Sequence, residues 1–264
     1  MTAATNKSKS AWLPYPWGPL PLLPARFVAR PNRFIGVFCW DDDPTTTFTA
    51  HIADPGRLQE LLLPNARVWV VDHGLDTHRK MRYSMPLVQS QMQSAEGHVV
   101  SIFSRLPNHV FTTAIRAKLI PEFLGYELIK IEPSWEDPIS GEKSRFDALL
   151  QSPNHQSPVW VEVKGASLVE DGVCQFPDAV TSRGARQIRQ LGEMASQGME
   201  TWVVFIVQRP DAVEFRPHWQ RDPVFAQALH DAAKAGVKIL AQPLTLDINQ
   251  GFRLEASIPI RLEP

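Results

Sequence analysis

Two short apolar runs, Ser144-Arg145-Phe146-Asp147-Ala148-Leu149-Leu150 and Val159-Trp160-Val161-Glu162-Val163-Lys164-Gly165, carry charge where a core strand tolerates little. Strand side chains alternate between faces, so Val161 and Val163 share one side while Glu162 and Lys164 share the other. If the runs pair as a hairpin across the polar turn between them, Asp147 lies beside Glu162. Two adjacent carboxylates suit a hard divalent cation such as Mg²⁺ or Mn²⁺, with the Lys164 ammonium next to it to orient a water or offset phosphate charge. The simpler reading is an exposed strand with a Glu162–Lys164 surface ion pair. That reading leaves Asp147 unexplained, because Asp is depleted in strands and rarely buried without a partner.

The 264 residues, 44% hydrophobic and 21% charged, allow one large or two moderate domains with a sizeable core. The net charge of -1 divides unevenly, with 11 Lys+Arg against 8 Asp+Glu through Arg105 and 16 against 20 beyond it. A basic first part meets phosphates, and an acidic second part suits a cation. Cys39 and Cys174 have no metal-ligand spacing, which argues against zinc and for a reducing, cytoplasmic setting. Residues 1–24 contain no continuous apolar stretch, so neither a signal peptide nor a membrane helix is expected. The prolines make this segment a flexible arm, with Trp12 and Trp17 as hydrophobic pegs or as stacking surfaces for a base.

Strand signals recur at 34–40, 48–53, 66–72, 83–89 and 98–103, separated by turns and one short helical insert at 58–63. Five strands over 25–105 predict a small OB-like barrel, a fold that commonly binds oligonucleotides. From 106 to 264 the expected order is a helix from His109 to Leu119 capped by Asn108, strands at 126–132, 145–151 and 159–164, and a helix at 182–197. A strand at 202–208, a helix at 222–235 and a strand at 237–241 follow. This describes a mixed sheet flanked by helices.

That order with Asp147, Glu162 and Lys164 resembles the restriction-endonuclease-like fold and its PD-(D/E)xK motif, with Phe146 where the motif has proline. The string Phe176-Pro177-Asp178-Ala179-Val180-Thr181-Ser182-Arg183-Gly184 resembles the sugar fermentation stimulation protein A family more specifically. Asp54-Pro55-Gly56-Arg57, Leu106-Pro107-Asn108, Glu122 before Gly125-Tyr126, and Ser144-Arg145-Phe146-Asp147 fall in the family's order. The resemblance spans about residues 25–262. It implies an OB-like domain followed by a nuclease-like domain, DNA as ligand with little sequence specificity, and a metal site of Glu122, Asp147 and Glu162 with Lys164 catalytic. Gln187 and Gln190 stand where the family pattern has histidine and glutamate.

On this view Arg57, the Arg79, Lys80 and Arg82 cluster, and the helical row Arg183, Arg186 and Arg189 are candidate phosphate contacts, although charged loops and solvated helix faces look the same. Asp178 and Gln187 are candidate additional site residues. By the residues alone Glu122 reads as a solvated helix-end carboxylate, and Asp178 also reads as a turn or helix-start carboxylate. The functions that follow are a metal-dependent DNA endonuclease or exonuclease, or a non-enzymatic DNA-binding regulator of sugar (maltose) metabolism. Two-carboxylate glycoside hydrolysis is disfavoured, because it leaves Lys164 without a role.

Overall fold

The computed structural model describes residues 11–54, 56, 58–75, 78–90, 97–137, 141–153 and 157–264. Its first six strands are β1 (Leu22–Asn32), β2 (Ile35–Trp40), β3 (Thr47–His51), β4 (Arg67–Asp72), β5 (Tyr83–Gln89) and β6 (Val99–Ser101). They hydrogen-bond in the order β3-β2-β1-β4-β5-β6, and His51 of β3 also pairs with Ser84 of β5. That contact closes the first five strands into a barrel around Phe38, Ile52, Val68, Val70 and Met85, leaving β6 outside the ring. A five-stranded barrel was expected, but with different strands: β1 replaces the run at 98–103.

The prolines hid β1. Pro24 lies one residue before the first β1–β2 pair, Ala25 with Trp40, so near the start of the strand its missing N–H costs little. The helix expected at 58–63 is a set of turns, because Leu58 has φ 52° and a left-handed residue does not continue a right-handed helix. The preceding segment is packed down from Leu13 onward. Leu13 pairs with Phe252, and the Tyr15 hydroxyl donates to the Asp247 carbonyl at 3.0 Å. Tyr15, rather than Trp12 or Trp17, is the buried ring. Gly251, at φ 105°, makes this possible, since a Cβ there would lie 2.0 Å from the Leu13 carbonyl oxygen.

The second unit runs α1 (Leu106–Arg116), a 3₁₀ turn at Pro121–Phe123, β7 (Glu127–Ile131), β8 (Ser134–Glu136), β9 (Lys143–Arg145), β10 (Ala148–Gln151) and β11 (Pro158–Ala166). It continues with β12 (Val169–Glu170), β13 (Val173–Phe176), α2 (Ser182–Ser196), β14 (Thr201–Val207), β15 (Glu214–Pro217), α3 (Pro223–Lys234), β16 (Lys238–Asp247) and β17 (Gly251–Leu254). The main sheet has the order β17-β16-β14-β11-β10-β7, with β11, β14 and β16 parallel and the outer pairings antiparallel.

Every residue of β14 is buried, as expected of a parallel strand covered on both faces. Val161, Val163, Val204 and Ile206 face α1, and Trp69 and Leu87 of the barrel join that same cluster, so the two units share a core. Val203, Phe205 and Val207 face α2 and α3. The closed barrel followed by a mixed sheet with three α-helices among the described residues is the architecture expected from the sequence.

Candidate metal centre

Ala148 of β10 sits opposite Val161 of β11, and the Asp147 N–H donates to the Val161 carbonyl at 3.0 Å, which sets Asp147 beside Glu162. Valines at 159, 161 and 163 fill the α1 face, so Glu162 and Lys164 project toward α2. There Lys164 Nζ donates to Glu162 Oε1 at 2.5 Å and to Gln187 Oε1 of α2 at 3.0 Å. Gln187 Nε2 in turn donates to the Arg145 carbonyl at 3.2 Å. The structure therefore brings Asp147, Glu162, Lys164 and Gln187 together, lining an open cavity of about 360 Å³. Asn108, Glu132, Arg145, Thr181 and Arg183 complete its wall.

Glu162 is 3% exposed, and its Oε2 is buried without a hydrogen-bond partner. Burial, reinforced by the Asp147 charge and opposed by Lys164, raises the Glu162 pKa to about 7. Burial also raises the Asp147 carboxyl, against the pull of the Val163 N–H, Lys164, Asn108 and a side-chain interaction with Glu162 itself, so the two carboxyls lie close enough to share a proton or a cation. Asp147 Oδ2 accepts from Val163 N–H at 2.7 Å and Oδ1 from Asn108 Nδ2 at 2.6 Å. Each carboxylate oxygen retains lone-pair capacity, so the donor set fits a hard cation.

Glu122 does not join this pair. It lies in the 3₁₀ turn, its Oε1 accepts from Ser257 Oγ at 3.1 Å, and its Oε2 is enclosed. Among the described residues no three Asp, Glu, His or Cys side chains converge in a way that could hold a metal ion. Asp178 is also elsewhere. It borders a separate cavity of about 150 Å³ with Leu58, Leu61 and Leu168, near Asp54, and burial raises its pKa.

The two units correspond to two domain models of one family. Residues 28–102 match the family model described as the SfsA N-terminal OB domain, and residues 105–250 match the sugar fermentation stimulation protein RE domain. This chain belongs to the sugar fermentation stimulation protein family. A homologue from Moorella thermoacetica is 39% identical over 87% of this chain and 92% of its own length. One from Pyrobaculum islandicum is 37% identical over 89% and 93%. The solved structure of Pyrococcus furiosus SfsA in complex with Ca²⁺ superposes with a TM-score of 0.79 at 28% identity, covering 96% of this chain and 99% of that one.

The candidate phosphate contacts of this SfsA-family chain scatter. Arg183 is exposed at the cavity wall, Arg186 turns toward Glu142 at 3.7 Å, and Arg189 borders the groove between α2 and α3. A three-residue step falls about 60° short of a full turn, so the three do not form one row. On the barrel, Arg82 is held by Asp72 at 2.6 Å beside Asp41, Asp42 and Asp43, an acidic surface. Arg79 approaches His73 at 3.2 Å, and Lys80 is exposed. Arg57 lies outside the described residues.

Sequence reasoning missed Asn108, Glu132 and Arg145 as wall residues. Asn108 read as a helix cap, yet α1 starts two residues earlier with Pro107 in its first turn and no side-chain cap. Its amide is committed to Asp147 instead. Glu132 is held at a left-handed φ of 51°, with its N–H on the Asp147 carbonyl at 3.0 Å, neither of which the sequence signals.

Proposed function

We propose that this protein is a divalent-cation-dependent nuclease that cleaves DNA phosphodiester bonds, with Asp147 and Glu162 holding Mg²⁺ or Mn²⁺ and Lys164 assisting attack by water. The observation that carries this reading is Glu162: a carboxylate 3% exposed, with an unpartnered Oε2, beside a second carboxylate and opening on a cavity. Burying such a group is costly unless something positive completes it. The Pyrococcus furiosus relative, described as a Ca²⁺ complex, supports a hard, oxygen-seeking cation.

A bound cation supplies Lewis-acid stabilisation of phosphate charge. The remaining work belongs to the chain. Lys164, anchored by Glu162 and Gln187, presents its third N–H toward a water or a phosphoryl oxygen. Gln187 keeps the lysine from collapsing fully onto Glu162, and it is tied to the backbone through Arg145. Arg183, exposed at the cavity wall, takes a neighbouring phosphate, while Arg145 is paired with Glu132 at 3.4 Å.

Because only two carboxylates converge among the described residues, a DNA-binding protein that keeps the cation site without turnover is the second reading. Cleavage of DNA with Mg²⁺ or Mn²⁺ by the parent, Asp147→Ala and Lys164→Ala decides between them. Cleavage by the parent alone supports the nuclease. Binding by all three with cleavage by none supports the second reading, and equal cleavage by all three points to a contaminant.

A further inference from the structure

We infer that Asn108 is a positioning residue of the cation site, holding the Asp147 carboxylate in the orientation from which it shares a cation with Glu162. The inference rests on the cation reading above. Asn108 Nδ2 lies 2.6 Å from Asp147 Oδ1, and the side chain lines the same cavity. Only the NH₂ end of an amide can meet a carboxylate, since the flipped amide would set two acceptors against each other. Val163 N–H holds the other oxygen at 2.7 Å. One donor on each oxygen fixes the rotation of the carboxylate about its last bond, and each oxygen keeps a lone pair for a cation.

The residue type matters. A lysine or arginine at this position would hold Asp147 and also repel the cation, while an aspartate would bring a third charge and no donor. Asn108 fixes its neighbour and leaves the charge of the pair unchanged. The backbone aims it: Pro107 packs so closely on Gly165 that a Cβ at 165 would fall 2.7 Å from Pro107 Cγ. That approach seats the first turn of α1 against β11 one residue beyond Lys164. The helix receives no side-chain cap, so the amide serves Asp147 rather than the helix end.

The test is Mn²⁺ titration calorimetry on the full chain, together with Eu³⁺ luminescence lifetimes that count waters on the bound ion, for the parent, Asn108→Ala, Asn108→Leu and Asp147→Ala. Removal of a group that orients a metal ligand weakens metal affinity by about tenfold or more. Both Asn108 variants are expected to show that loss with melting temperatures near the parent's. Both should also gain about one Eu³⁺-bound water, the gain expected of Asp147→Ala. The leucine variant keeps the γ-branched shape of asparagine without its donor, should alanine disturb the helix. Parent-like affinity in the Asn108 variants, or weaker binding with an unchanged water count, overturns the inference while leaving the cation reading intact. Failure of both variants to fold makes Asn108 a structural residue and also overturns it. Absence of Mn²⁺ binding by the parent removes the cation reading and this inference together.

Discussion

Replacing Glu162 by glutamine should make the cation-free protein more stable at alkaline pH, although it removes a residue placed at the heart of the site. In the folded protein, burial raises this carboxyl from its ordinary value of 4.5 to about 7. The folded state therefore holds the proton more tightly than the unfolded chain, and stability falls as pH rises through the window from about 4.5 to about 7. At about 1.4 kcal/mol per tenfold change in proton affinity, the ionised side chain costs the fold about 3 kcal/mol above pH 7, with the attraction of Lys164 already included. Glutamine copies the neutral form and still offers Lys164 an acceptor. Thermal melting in a chelator should place Glu162→Gln roughly 5–10 °C above the parent at pH 8, and the two should converge toward pH 5. Mn²⁺ should raise the melting temperature of the parent and not of the variant. A variant less stable than the parent at pH 8, or a difference that does not change with pH, would mean that the buried Glu162 charge does not destabilise the fold.

Gly165→Ala should lower stability by about 1–3 kcal/mol and weaken cation binding as well, because the added methyl meets the rigid Pro107 ring and displaces the turn that carries Asn108; melting and Mn²⁺ titration read the two effects. Asp222→Ala should cost about 2 kcal/mol in denaturant unfolding. Its carboxylate caps α3 through Phe225 N–H at 2.9 Å and also receives Thr181 N–H at 2.8 Å, ahead of α2. Arg183→Ala should reduce the salt dependence of DNA binding by about one charge, measured by filter binding or anisotropy across salt, whereas Arg82→Ala should leave it unchanged because Asp72 already neutralises Arg82.

What the sequence revealed and what it hid follow from the range of the interactions involved. Asp147, Glu162 and Lys164 stood out because alternation within a strand is local, and a charge on an apolar strand violates it visibly. The helices α2 and α3 were readable from their apolar periodicity, although Asp222, expected as the first residue of α3, is its cap. The barrel's β1 was obscured because Pro24 and Pro31 speak against a strand, while their tolerance depends on which residues of β2 and β4 lie alongside. Asn108 was misplaced for the same reason: an asparagine before an apolar run looks like a cap until the approach of Pro107 to Gly165 fixes where its side chain ends. Glu122 was a ligand only by family resemblance, and its contact with Ser257 is equally invisible in the sequence. The pairing of Lys164 with Gln187 joins residues 23 apart across two elements, a contact that no periodicity announces.

If Asp147 and Glu162 hold one divalent cation beside Lys164, the ion is visible in diffraction from a crystal soaked in Mn²⁺ and recorded above the manganese absorption edge. An anomalous peak is expected within coordinating distance of both carboxylates, and it should vanish in Glu162→Gln. A crystal with no peak at that pair, or with manganese held at Glu122 or at Asp54 and Asp178 instead, would contradict a cation site at Asp147 and Glu162.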